Sequence, residues 1–388
     1  MPRTPRATKR NVKVLHIYRT YFPDPPGGLQ EAIRQISLAT RDFGVESKIF
    51  TLSPNPEPRT IAFDEGDVVR SKSWAAPASC DLGGLDSLRQ FRVLAQWADV
   101  LHFHFPWPFA DVLRLLGEPH KPAVMTYHSD VVRQKYVGYV YGPLMRWMLR
   151  SMDAVVATSP AYARTSSVLT AVVAEKRLRV IPLGMADFAS GECTTESDVN
   201  LISRLSLGER PYFLSLGVLR YYKGLHTLIE AAPRIGANIV IAGSGPEMER
   251  LKKQAAETGA SNVIFAGQVS NEEKAALLRG CRGLVLPSHL RSEAFGMVLV
   301  EAAMFGKPLV CCEVGSGTSY VNEHGVTGFV VPPESPKALA DAMTALLSNE
   351  ALANRMGGAA RHRYEMLFSA SALGTAYRNL YSRILAHC

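Results

Sequence analysis

No stretch of this 388-residue chain reaches the roughly 18 uninterrupted apolar residues that a membrane-crossing helix needs. The richest segment, GMVLVEAAMFGKPLVCC, is broken by Glu301 and Lys307, which excludes such a span there. The opening MPRTPRATKRN is basic but has no apolar h-region, so it reads as a flexible tail over residues 1–10 and not as a secretory signal. The six cysteines (Cys80, Cys193, Cys281, Cys311, Cys312, Cys388) include no C-x-x-C pair, and neighbours such as Cys311 and Cys312 rarely bridge each other. Reduced, structural thiols in a cytosolic protein are expected. Low-complexity tracts and short-period repeats are also missing. A net charge of +8 and an isoelectric point near 9.2 suit nucleic acid, anionic lipid or a polyphosphate ligand. No nucleic-acid-binding motif accompanies that charge, so nucleic acid is not expected as a partner.

What is present is alternation. NVKVLHIY (Asn11 to Tyr18) precedes a Gly-Gly loop, and LQEAIRQISLATRDF then sets Leu29, Ile33, Ile36 and Phe43 at helical spacing. VESKIFTL, ADVLHFHF, PAVMTYH, DAVVATS and LRVIPLG continue as buried parallel strands with helical windows between most of them. The periodicity fails between Met185 and Arg210, where ADFASGECTTESDVN is polar and rich in turn formers. It restarts with PYFLSLG, ANIVIAG, NVIFAG, RGLVLPS and KPLVCC as strands. Single cores tend to stop growing near about 250–300 residues, so two domains are expected. We place a Rossmann-like N-terminal domain at residues 1–190 and a second at residues 191–368. The closing helices begin near Ser335, and residues 369–388 are expected to pack back toward the first domain. Two doubly wound α/β domains facing a central cleft place ligands beyond the carboxyl ends of the strands.

The loops at those strand ends carry the candidate chemistry. In YRTYFPDPPGGLQE, Gly27 and Gly28 allow a ligand to approach the backbone, and the following helix offers amides to a phosphate; a plain turn is the alternative. In TYHSD, His128 follows a strand and is suited to donate to a sugar hydroxyl or to developing charge, or to a structural role. His102 and His104 share a strand face, but no cysteine or acidic cluster accompanies them, so no metal site is expected. FDEGD (Phe63 to Asp67) has the wrong spacing for the D-x-D that often holds a metal under a sugar nucleotide.

In GVLRYYKG (Gly217 to Gly224), Arg220 and Lys223 stand beside a helix N-terminus, where cations do not favour the helix; a diphosphate is a fitting partner and solvated surface charge the alternative. IAGSGPE lacks the longer G-x-G-x-x-G fingerprint and reads as a tight turn. SEAFGMVLVE places Glu293 at a strand end, lets Gly296 approach a ligand and leaves the amides of Gly296, Met297 and Val298 as first-turn donors. Glu301, on an otherwise apolar helix, is costly unless partnered, and ligand hydroxyls are a candidate partner.

These residues together resemble the retaining glycosyltransferases of family four, which have the GT-B architecture. The resemblance spans almost the whole chain, and its most specific element is the E-x7-E spacing of Glu293 and Glu301, with LRYYKG, AGSGPE and the Gly-Gly loop in order. It implies that Glu301 accepts from the nucleotide ribose, while Glu293 and the amides after it hold the donor sugar. Arg220 and Lys223 grip the diphosphate beside Gly217, Gly28 approaches from the other domain, and His128 contacts the transferred sugar. The base lies near Gly267, Gln268 and Val269. One departure stands out: the family usually has Arg where this chain has Val218.

YHSDVVRQK is similar to bacterial polysaccharide mannosyl- and rhamnosyltransferases. The expected activity is therefore metal-independent, retaining transfer of mannose or rhamnose from a GDP-sugar to a glycan or lipid-linked acceptor of lipopolysaccharide or surface polysaccharide. A sugar-nucleotide epimerase, a phosphorylase of the same fold, or a non-catalytic sugar-nucleotide-binding protein are the alternatives. The expected location is cytoplasmic, peripheral at the inner face of the membrane. VVRQKYVGYVYGPLMRWMLRSM supports that through Arg133, Lys135, Arg146 and Arg150 beside Trp147, Met148 and Leu149, with ordinary core packing as the alternative.

Overall fold

The computed structural model describes residues 11–24, 27–76, 80–118, 120–130, 135–189, 201, 203–205, 207, 208 and 210–386. The expected tail, much of the expected linker, Arg133, Cys193 and Cys388 lie outside the described residues, as do the side chains of residues 135–140. The chain forms two compact units. One comprises Met1–Thr158, Ser166–Ala186 and Ala370–Cys388, the other Ser159–Thr165 and Asp187–Ser369.

The first unit is built on eight strands: β1 (Val12–Ile17), β2 (Val45–Ser53), β3 (Thr60–Phe63), β4 (Gly66–Lys72), β5 (Val100–Phe105), β6 (Ala123–Tyr127), β7 (Ala154–Ala157) and β8 (Leu178–Val180). They lie in the order β3-β4-β2-β1-β5-β6-β7-β8, parallel except for the β3/β4 pair. The chain winds outward from β1 through β2 and returns to β5, so the direction reverses between β1 and β5. Val12, Val14, Val100, Val124 and Val156 are buried with Ile36 and Ala39 of the helix Gly28–Arg41, which explains why the central strands read as apolar runs. The FDEGD segment spans the turn of the β3/β4 hairpin, which the pattern of the sequence did not reveal because β3 has only four residues and none of them is buried.

The final helix, Ala370–Leu385, belongs to this unit. It lays Leu373, Tyr377, Leu380, Tyr381 and Ile384 against the same core, at the spacing of one helical face. Gly374 sits so close to the helix Gly28–Arg41 that a Cβ would lie 2.2 Å from the Ala39 carbonyl oxygen.

The second unit has β9 (Tyr212–Leu216), β10 (Asn238–Ala242), β11 (Val263–Gly267), β12 (Gly283–Leu286), β13 (Leu309–Cys312) and β14 (Gly328–Val331). The order is β11-β10-β9-β12-β13-β14, and every described pairing is parallel. Phe213, Ile239, Ile241, Val285 and Val310 pack with Leu228, Ile229, Leu339, Met343 and Leu346 from the flanking helices. Here the winding reverses between β9 and β12, and doubly wound sheets bind ligands beyond the strand ends at such a reversal. The loops that follow β9 and β12 are GVLRYYKG and the stretch leading to Glu293. No helix among the described residues is long and apolar enough to cross a membrane.

Candidate functional site

The loop after β9 is shaped by glycine. Gly217 has φ +122°, and its amide donates to the Ala242 carbonyl at 3.0 Å. A Cβ on Gly243, whose φ is +134°, would fall 2.0 Å from the Gly217 carbonyl oxygen, and one on Gly245 would fall 2.5 Å from that of Leu219. The glycines of IAGSGPE are thus required by the close approach of two loops. Gly224 has φ +67° and ends the turn Tyr221–Lys223 just before the helix Leu225–Ala231. Its missing Cβ makes room for the Pro287 carbonyl oxygen, 2.0 Å from where that Cβ would lie. This contact holds the loops after β9 and β12 together.

Lys223 and Glu293 meet across that junction, with Nζ 2.7 Å from Oε2 and both side chains nearly buried. Ser288 also donates to Glu293 Oε2 at 3.4 Å. Burial pulls the Lys223 pKa down, but attraction to Glu293 and Tyr222, the hydrogen bond to Glu293 and the more distant Glu301 outweigh it, and the net shift is upward. The ammonium is therefore charged at neutral pH. Its three N–H donors exceed what one carboxylate oxygen takes, which leaves capacity for an anion. Arg220 is exposed and has no ion-pair partner among the described residues, while Val218 is 53% exposed on the same loop.

The helix expected to begin near Ala294 to Gly296 spans Met297–Met304, with Gly296 at φ +85° as its N-cap. The amides of Gly296, Met297 and Val298 donate to no acceptor among the described residues, so this helix start presents free donors. Glu301 does not await a ligand for its partner: Lys274 Nζ lies 2.8 Å from its Oε1. Lys274 stands on the helix Asn271–Gly280, which Ser270 and Glu273 start with a reciprocal capping box. That helix follows Gly267, Gln268 and Val269, so Lys274 ties Glu301 to the segment expected to face the base. Gly267 has φ +70° and nothing within 4 Å of where a Cβ would stand. Sequence reasoning missed Lys274; its place in SNEEK, after the capping Ser270, marks only the helix, and nothing in sequence order joins it to Glu301.

In the first unit, Gly27 is the extended N-cap of the helix Gly28–Arg41, and a Cβ at Gly28 would meet nothing within 4 Å. Glycine at position 28 is therefore not demanded by the unit's own packing. His128 is 7% exposed, follows β6 and shares a hydrogen bond of 3.0 Å between its Nε2 and His104 Nδ1. His104 Nε2 in turn shares one of 3.1 Å with His16 Nδ1. Sequence reasoning missed His16. The β1/β5 register sets His16 opposite His102, a pairing that only the strand order reveals. His102 stacks on His104 and is bonded at Nδ1 to Tyr381 Oη (2.8 Å) and at Nε2 to Thr126 Oγ1 (2.7 Å). The ligand nitrogens of His16, His102 and His104 lie within 4.8 Å of one another, a group able to hold a metal only by breaking some of these bonds. Asp130 accepts from Tyr127 and Ser166 at 3.0 and 2.7 Å, which gives it a structural role near His128.

On the helix Lys135–Arg150, Met148 and Leu149 are buried while Arg146 and Arg150 are exposed. Met148 and Leu149, expected beside those arginines, thus serve the core, while Trp147 is half-buried.

Comparison with known proteins identifies the family. Residues 26–186 match the family model "Glycosyltransferase Family 4", and residues 201–363 match "Glycosyl transferases group 1". The chain is 39% identical over 376 residues to the O-antigen chain mannosyltransferase C of Escherichia coli, covering 96% of this chain and 99% of that protein. It is 43% identical over 359 residues to the D-rhamnosyltransferase WbpZ of Pseudomonas aeruginosa, covering 92% and 93%. Among solved structures, the sucrose-phosphate synthase of Thermosynechococcus elongatus superposes with a TM-score of 0.79 at 22% identity, over 97% of this chain and all of that one. Anabaena Alr3699/HepE in complex with UDP-glucose gives 0.78 at 18% identity, over 96% and 100%.

Proposed function

We propose that this chain, which belongs to the family-four glycosyltransferases, moves mannose or rhamnose from a GDP-sugar to a glycan or lipid-linked acceptor during assembly of a bacterial surface polysaccharide or lipopolysaccharide. The observation that carries the reading is the cluster at the winding reversal of the second unit. It comprises the Lys223–Glu293 pair, Arg220 with no ion-pair partner among the described residues, and the free amides of Gly296, Met297 and Val298. Such a set neutralises and hydrogen-bonds a diphosphate without calling on a metal. The choice of sugar follows the names of the two relatives, an O-antigen mannosyltransferase and a D-rhamnosyltransferase.

In this reading Glu301, oriented by Lys274, accepts from the ribose hydroxyls, and Gly267, Gln268 and Val269 lie along the base. Glu293 and the amides after it hold the sugar, with Gly217 allowing close approach beside the phosphates. Lys223 and Arg220 stabilise the charge that grows on the departing nucleotide. The acceptor hydroxyl attacks from the face that the diphosphate leaves, and a phosphate oxygen takes its proton, so the configuration is retained and no protein nucleophile is used. His128 donates to the sugar, and Gly27 and Gly28 give a ligand access to the first unit's backbone. Peripheral contact with an anionic leaflet fits the exposed Arg146 and Arg150.

A thermal-shift panel of GDP, UDP, ADP and dTDP, in EDTA and on wild type and Glu301→Ala, tests the reading. A ligand at about a hundred times its dissociation constant adds roughly 2.7 kcal/mol to stability. GDP is expected to shift the wild type and not the variant. Consumption of GDP-mannose or GDP-rhamnose without acceptor would instead indicate an epimerase or hydrolase, and an inverted anomer in the product would overturn the retaining mechanism.

A further inference from the structure

Three histidines, from β1, β5 and the end of β6, form one hydrogen-bonded row inside the first unit. His16 Nδ1 meets His104 Nε2 at 3.1 Å, and His104 Nδ1 meets His128 Nε2 at 3.0 Å. The rings meet edge to edge, inclined by 26° in both steps, with centroids 5.4 and 5.3 Å apart. His16 and His104 are fully or almost fully buried, and no carboxylate bonds to any ring of the row among the described residues. Burial pushes all three well down from the usual histidine range, so each ring is neutral with one N–H.

Neutral rings in a row can point their protons in only two ways. In one, His16 donates to His104, His104 donates to His128, and the His128 proton sits on Nδ1. In the other every bond reverses, and His16 Nε2 must carry a proton. That nitrogen is buried and has no partner. A buried donor without an acceptor is rarer in proteins than an unused acceptor, so the first direction is favoured. Nδ1 is the His128 nitrogen outside the row in either direction, and in the first it carries the proton.

We propose that His104, backed by His16, is a positioning residue that holds His128 in its Nδ1–H tautomer, so that His128 meets its ligand as an N–H donor. The proposal deepens the reading of His128 as a sugar contact and rests on it for its functional consequence. His102 does not enter the row, since Tyr381 and Thr126 occupy both of its nitrogens.

The test is long-range nitrogen–proton NMR of the full chain labelled with ¹⁵N-histidine, with His128 assigned from the signal lost in His128→Gln. The expected spectrum has His128 protonated on Nδ1. His104→Asn keeps an amide donor near the place of Nδ1 and is expected to preserve that tautomer and most of the turnover. His104→Leu is expected to lower kcat roughly ten- to hundredfold, as loss of the partner that orients a metal-bound histidine does, with KM for the donor little changed. Protonation on Nε2 in the wild type would overturn the proposal even if neither His104 variant folded. Wild-type turnover by His104→Leu alongside loss in His128→Ala would also overturn it. Full turnover by His128→Ala would instead remove the sugar-contact reading, and the spectrum would still decide the tautomer.

Discussion

The Lys223 ammonium rests 2.7 Å from the Glu293 carboxylate, and each side chain keeps only about a tenth of its exposure. A pair so placed is costly to break from one side, since the remaining charge stays desolvated. Lys223→Met is expected to lower stability to urea by about 3 kcal/mol, and Lys223→Met with Glu293→Gln to recover most of it. Turnover is expected to stay lost in both. Equal stabilities of wild type and Lys223→Met would show that the pair is not held as described.

The buried histidines make the first unit sensitive to acid. Burial lowers His16 and His128 from 6.5 to about 3, while His102 and His104 fall well below 6.5 through burial and mutual repulsion. Between pH 6.5 and about 3 the unfolded chain therefore binds more protons than the native one, and stability falls as pH falls through that window. Each histidine contributes a slope of about 1.4 kcal/mol per pH unit. Urea midpoints at pH 7, 6 and 5 check this, with His16→Leu expected to flatten the slope by about one proton. Constant stability from pH 7 to 5 would contradict the burial.

Gly28 and Gly243 separate ligand access from packing. Gly243→Ala sets a Cβ 2.0 Å from the Gly217 carbonyl oxygen at φ +134° and is expected to cost more than about 2 kcal/mol. Gly28→Ala meets open space within a helix and is expected to change stability by less than about 1 kcal/mol. A fall in turnover for Gly28→Ala at unchanged melting temperature would indicate that a ligand uses the space; full activity would leave that glycine a plain helix start.

Lys274 orients Glu301, so Lys274→Ala is expected to weaken nucleotide binding by roughly tenfold, less than Glu301→Ala does. Titration calorimetry with GDP decides this. Tighter binding in Lys274→Ala would mean that Lys274 competes with the nucleotide for the carboxylate.

The alternation of strands and helices and the E-x7-E spacing were both legible from the chain, because buried parallel strands are short β-branched runs and local turns need particular residues. Each such signal lies within a few tens of residues. β14 and β3 escaped because neither holds a run of buried residues, unlike β7, β12 and β13 of the same length. Glycine in IAGSGPE was readable as a turn, but the carbonyl that forbids a side chain there comes from the loop after another strand.

What the sequence alone determined is the class of the fold, the order of its elements and the residue types at each strand end. Only the tertiary structure decided their partners. Lys274 reaches Glu301 across 27 positions, and His16 reaches His104 across 88, so no local spacing encodes either contact. Strand order and register create them, because adjacent parallel strands need not be adjacent in the chain. The long-range sheet pairing thus turned separate side chains into a charged pair and a row of shared protons.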